Sequence, residues 1–292
     1  MRKTIILAII AIFVAACSNE SEINNEVNNN ALAPVRVHVD GFNVSQEEFS
    51  GTRAAESLSG YNGINAITLA FYKGDGTEAY KSTQAKDDAD FGDFSLSLPM
   101  GSYTMVAVAY TTKEGSPFTL TSSTEAAFTG LHAYETFTYT QAVTISNTSA
   151  VDISATLNRI VSMLTVKSTD GKTADVSNVR MTFSAGGKDF NPTTGLAITN
   201  TGFANTVGNS ASVGATSTSS TCLFLATDEQ NIDVTIETLD VDENVLFTKT
   251  ITNVPFKRNR KTFLTGSMYT NTGVGGSFQV ETAWLTEENG TF

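Results

Sequence analysis

Apolar and polar residues alternate with a period of two in several segments of the chain. Val35-Arg36-Val37-His38-Val39-Asp40 alternates strictly, which predicts a half-buried strand. Ala66 to Tyr72 predicts a second strand, which Lys73-Gly74-Asp75-Gly76-Thr77 turns towards Glu78-Ala79-Tyr80. Phe94-Ser95-Leu96-Ser97-Leu98, then Pro99-Met100-Gly101, then Met105 to Tyr110 predict a hairpin closed by a Pro-x-Gly turn. Strands follow at Thr136 to Ile145 and Val151 to Thr156, with Asn147-Thr148-Ser149 as a hinge between two halves. Leu157 to Val166 opens a second set containing Val179 to Phe183 and Thr221 to Leu225. Ile232 to Glu237 pairs through Asp242-Glu243-Asn244 with Val245 to Ile251, and Gly195 to Ser220 reads as a long loop. Short strands between turn clusters, with no sustained 3.6 period, predict an all-β protein built of sandwiches.

Ile5 to Val14 has a different pattern, a long uninterrupted apolar run behind Arg2 and Lys3. It is shorter than the roughly 20 residues a helix needs to span a bilayer, and Ala15-Ala16-Cys17 closes it with small residues. That order predicts a secretory signal peptide over residues 1–16. Val14-Ala15-Ala16-Cys17 resembles the bacterial lipobox, whose cysteine becomes the lipid-carrying first residue of the mature chain. Residues 17–34 are Asn-rich without periodicity and read as a tether, followed by domains at 35–150 and 151–292.

The formal charge is −12, and removing Arg2 and Lys3 with the signal makes it −14. So acidic a chain repels phosphate backbones, which argues against a nucleic-acid partner. With Cys17 lipidated, Cys222 stands alone in an apolar run, so no intrachain disulfide is expected. His38 and His132 have no ligand-type neighbours at metal spacing. Asp240-Val241-Asp242-Glu243-Asn244 opens like a calcium loop but continues with Val245 where the glycine belongs, and reads as a hairpin turn. Asp87-Asp88-Ala89-Asp90 with Asp93 reads as a solvated loop. The motifs predict no catalytic, cofactor or metal site, and no enzyme.

Gly51-Thr52-Arg53-Ala54, the Leu98-Pro99-x-Gly101-x-Tyr103 turn and Leu157-Asn158-Arg159-Ile160-Val161 join the lipobox as carriers of a resemblance. The most distinctive carrier is the late segment Val254 to Gly266, with its Lys257-Arg258-Asn259-Arg260-Lys261 core. Together they resemble the fimbrillins of the lipoprotein-precursor (type V) pilus family. That resemblance implies two transthyretin-like β-sandwich domains in tandem, diacyl or triacyl lipid on Cys17, and outer-membrane export. It implies a cut between Arg53 and Ala54 by an arginine-specific protease, and other fimbrial subunits, its own copies or operon-mates, as partners. The vacated groove would take a strand from a neighbour. Ser277 to Leu285, with Phe278, Val280 and Trp284 on one face, is a candidate donor strand or a last strand of its own domain. Two other readings stay open: a membrane-anchor or minor subunit that keeps its lipid, and a glycan-binding outer-membrane lipoprotein.

Overall fold

The computed structural model describes residues 31–43, 55–58, 60–270 and 279–284, and every regular element among them is a strand except for turns. The first ten are β1 (Leu32–Asn43), β2 (Ala55–Ser57), β3 (Ala66–Lys73), β4 (Glu78–Ala85), β5 (Asp93–Pro99), β6 (Gly101–Tyr110), β7 (Phe118–Ser122), β8 (Glu125–Phe128), β9 (Thr136–Ile145) and β10 (Val151–Arg159). One layer runs β4-β3-β6-β9 and the facing layer runs β5-β1-β10. The two join at a corner, where Asn158 and Arg159 of β10 pair with Thr138 and Phe137 of β9. Between the layers lies a core that takes Val35, Val37 and Val39 from β1, Ile67 and Leu69 from β3 and Leu157 from β10.

The second half adds β11 (Ser162–Ser168), β12 (Asn178–Phe183), β13 (Asp189–Asn191), β14 (Leu196–Ala197), β15 (Ala204–Gly208), β16 (Thr218–Leu223), β17 (Glu229–Leu239), β18 (Val245–Lys257), β19 (Arg260–Gly266) and β20 (Gln279–Trp284). Its layers are β15-β12-β17-β18 and β16-β11-β19-β20. The wiring repeats that of the first half. In each, the opening strand (β1, β11) is parallel to the closing one (β10, β19) and antiparallel to a middle one (β5, β16). Opposite them, β4-β3-β6-β9 matches β15-β12-β17-β18 strand for strand. Two strands have no counterpart: β2 on β1 in the first half, and in the second β20, which lies antiparallel on the outer edge of β19.

A small sheet, β14-β13-β8-β7, draws on both halves. It covers the outer face of β3 and β6, where Tyr72, Val106 and Val108 meet Phe128, Phe190 and Phe224. The middle of β6 is therefore buried on both faces, which explains its unbroken apolar run.

Three expectations need correction. Leu98 to Tyr103 is not a hairpin: β5 pairs with β1, whereas β6 pairs with β3 and β9, so Pro99-Met100-Gly101 is an arch from one layer to the other. The Tyr103 hydroxyl donates to the Pro99 carbonyl at 2.8 Å and closes that arch. The strand after Asn147-Thr148-Ser149 stays in the first half, because β10 pairs with β1; the chain crosses over at Arg159–Ser162. Gly195 to Ser220 is not one loop, since β15 pairs there with β12. The turn at Asp240 is as expected: its Oδ1 accepts from the amides of Asp242 and Asn244 at 2.9 and 2.8 Å.

Candidate functional site

β1 lies between two paired neighbours. Its residues Val35 to Asn43 run parallel to Val151 to Asn158 of β10, and Leu32 to His38 run antiparallel to Pro99 to Asp93 of β5. Strict alternation puts Ala33, Val35, Val37 and Val39 on the inner face, each no more than 1% exposed. A register shift between Val39 and Gly41 then lets Phe42 turn inward too. Its ring packs 4.6 Å from that of Phe137 and 5.2 Å from that of Tyr61, centroid to centroid. On the outer face, Arg36 lies 3.4 Å from Asp152 of β10, and His38 Nδ1 lies 2.5 Å from Asp93 of β5. β2 pairs with the far end of β1 through Asn43↔Ala55. The expected cut, Arg53 and Ala54, lies outside the described residues, as do the signal peptide, Cys17 and Phe278.

The inner end of β1 leads to a buried joint between the two halves. Arg159, 4% exposed, holds Nε 2.7 Å from Glu135 Oε1 and donates from Nη2 to the Tyr61 hydroxyl at 2.7 Å. From the second half, Asn259 accepts from Arg159 Nη1 at 3.1 Å. Burial first, then the Glu135 carboxylate, pushes the Tyr61 phenol well above its ordinary range. In the sequence Arg159 and Asn259 stand in two distant motifs, with nothing local to link them. Beside the joint opens a cleft of about 640 Å³ lined by Tyr139, Asn158, Thr194, Glu229, Lys257 and Arg258 among others. Its cations are matched: Lys257 lies 2.6 Å from Glu229 and Arg258 lies 2.8 Å from Asp228.

At the other end of the second half, Asp170 holds the root of the C-terminal segment. Its carboxylate accepts from Ser267 Oγ at 2.6 Å, from the amides of Met268, Tyr269 and Thr270 at 2.8 to 2.9 Å, and from Thr270 Oγ1 at 3.0 Å. Partial burial alone would raise this carboxyl; the hydrogen bonds outweigh it and hold it at about 2. Beyond the root, β20 pairs with β19 of its own half, with Val280 opposite Leu264 and Trp284 opposite Arg260.

Cys222 is buried, and burial pushes its thiol up to about 12, which suits a packing role rather than a reactive one. Among the described residues, no three His, Cys, Asp or Glu side chains are placed to hold a metal ion, and no helix is long and apolar enough to cross a membrane.

In fold the chain is similar to the crystal structure of an adhesin candidate from Bacteroides ovatus, at 10% identity and a TM-score of 0.52, over 88% of this chain and 96% of that one. An adhesin candidate from Bacteroides thetaiotaomicron is similar at 10% identity and a TM-score of 0.51, over 87% and 97%. The fimbrial anchor protein Mfa2 of Porphyromonas gingivalis follows at 11% identity and a TM-score of 0.49, over 86% and 97%. No curated protein matches the chain. A family model with the description "Family of unknown function (DUF6562)" matches residues 41–290, and the chain belongs to that family.

Proposed function

We propose that the protein is a structural subunit of a cell-surface fimbria with a role in adhesion. It is exported as a lipoprotein on Cys17 and assembles with other fimbrial subunits by strand addition, after a cut between Arg53 and Ala54. We read its two matching seven-stranded units as the transthyretin-like sandwiches that the fimbrillin resemblance implies. The likeness in fold to adhesin candidates supports this reading. The observation that carries it is the setting of β1. The strand ends ten residues before Arg53, and both its edges are paired. Its loss would leave a slot with ladder partners on both sides and an apolar floor, a template for another strand.

The cut falls one residue before β2, so it would sever β1 from the main chain, open to displacement by another strand, while leaving β2 in place. The test is the N-terminus of the protein on the cell surface, with Arg53→Ala beside wild type. The expected result is a start at Ala54 in fibres and no fibre incorporation for the variant. Full-length fibres containing Arg53→Ala protein would overturn it. One observation favours the anchor-type reading, in which β1 and the lipid are kept: β20 pairs within its own half instead of standing free as a donor. In that case the surface form starts at Cys17.

A further inference from the structure

Among the described residues, the repeat of topology has one position filled in the second half and open in the first. β20 covers the outer edge of β19; on the matching edge of β10, Val151 to Leu157 have no strand partner among the described residues. Exposed edges invite pairing with other chains, and two other edges of this fold carry the usual deterrents. β4 presents Glu78 and Lys81, paired at 2.5 Å, and β18 carries Lys249, Pro255 and two breaks in register. Val151-Asp152-Ile153-Ser154-Ala155-Thr156-Leu157 has no proline, no lysine and no break along its outer side. Its one charge, Asp152, is already engaged by Arg36.

We propose that this edge is a self-association surface, on which Val151 to Leu157 pairs antiparallel with the same residues of a second copy across a two-fold axis at Ser154. This does not rest on the fimbrial reading. The partner is a second copy because the alternating pattern is complementary to itself. With the axis at Ser154, Ile153 meets Ala155 of the second copy and Val151 meets Leu157, so buried faces stay on one side. Asp152 meets Thr156, so no like charges face each other. Moving β20 of another copy onto β10 would strip β19, whereas pairing two β10 edges breaks no existing ladder. The result is a continuous sheet β5-β1-β10-β10-β1-β5. Seven residues a side is a small contact, so the dimer is weak. Because each copy carries −12, association strengthens as salt is raised.

Ser154 is exposed, and at the axis its Cα would lie about 4.5–5.5 Å from its counterpart, within disulfide range. The test uses the full chain carrying Cys17→Ser, with Ser154→Cys compared to Thr248→Cys on β18. The expected result is a disulfide-linked dimer from Ser154→Cys formed at least tenfold faster than from Thr248→Cys. Ser154→Lys, which sets two ammonium groups opposite each other, should weaken sedimenting dimers at least tenfold, and mixing it with Ser154→Asp should restore a mixed dimer. Equal oxidation rates for the two cysteine variants overturn the proposal. So does a monomer in which those 151–157 amides that point away from β1 are protected from exchange, which would mean that the chain's own terminal segment fills the edge.

Discussion

Arg159 and Asn259, 100 residues apart in sequence, share a buried hydrogen bond of 3.1 Å across the joint between the two halves of the molecule. The guanidinium also holds Glu135 and Tyr61, and its carbon lies 4.9 Å from the centroid of the Phe137 ring. A buried charge of this kind is tolerable only while its partners are present.

Arg159→Met therefore leaves the Glu135 carboxylate with the Tyr61 hydroxyl but no counter-charge, and leaves Asn259 without its donor. Breaking a buried pair from one side costs about 3–5 kcal/mol. The expected outcome is a loss of that size in chemical denaturation, with Glu135→Gln added to Arg159→Met recovering part of it. A single mutant as stable as wild type would mean that the joint does not hold the halves together.

The Asp170 carboxyl is held at about 2 against an ordinary 3.8, so its hydrogen bonds favour the folded state only while it is ionised. The sign follows: its contribution is complete above about pH 4 and is lost as pH falls towards 2. Because the group is only partly buried, solvent screening reduces the effect to about 1 kcal/mol. Asp170→Asn should lower stability at pH 7 and flatten the acid limb between pH 4 and 2. An unchanged acid limb in the variant would sink this account of the C-terminal root.

Gly202 has φ +74°, and a Cβ there would stand 2.0 Å from the carbonyl oxygen of Phe183. Backbone cannot yield as a side chain does, so Gly202→Ala adds a steric clash to the cost of the left-handed conformation. A loss of about 2–4 kcal/mol is expected by thermal or chemical unfolding. Gly74→Ala is the control, since nothing lies within 4 Å of a Cβ there, and it should stay within about 0.5 kcal/mol.

Strands with one buried face were legible in the sequence because alternation reports that state directly. β1 and β17 are the clear cases, and β9 has the bounds that its pattern suggests. Pairing was harder to read. A turn of two or three residues normally joins hydrogen-bonded neighbours, yet β5 and β6 part at Pro99-Met100-Gly101. The signal was present: β5 alternates, while Met105 to Ala109 is apolar throughout, so the two strands cannot share one environment. The small sheet of β7, β8, β13 and β14 left no such trace. Its strands are two to five residues long, and they pair Phe190 with Ala126. The Arg159 joint was illegible for the same reason, because it needs partners from three distant segments.

Phe42 stands where β1 meets the joint. Its ring is fully buried against Phe137 and Tyr61, and the Tyr61 hydroxyl is the one that Arg159 holds. Phe42→Ala removes that packing and costs about 3–5 kcal/mol in the intact chain. If the folded protein is then cut between Arg53 and Ala54, nothing covalent holds β1 in place. The wild-type fragment stays seated through its ladders to β5 and β10 and its five inward side chains. For Phe42→Ala the same energy becomes a loss of affinity of roughly 100- to 3000-fold, at about 1.4 kcal/mol per factor of ten. Gel filtration after the cut should therefore keep the wild-type fragment with the main peak and release the variant's fragment. The emptied protein should regain thermal stability when a peptide of residues 31–43 is added, in proportion to its occupancy. A variant fragment that stays bound as tightly as wild type would show that Phe42 does not anchor β1. A peptide that leaves the melting temperature unchanged would show that the slot closes once the strand has gone, and strand replacement there would have to be abandoned.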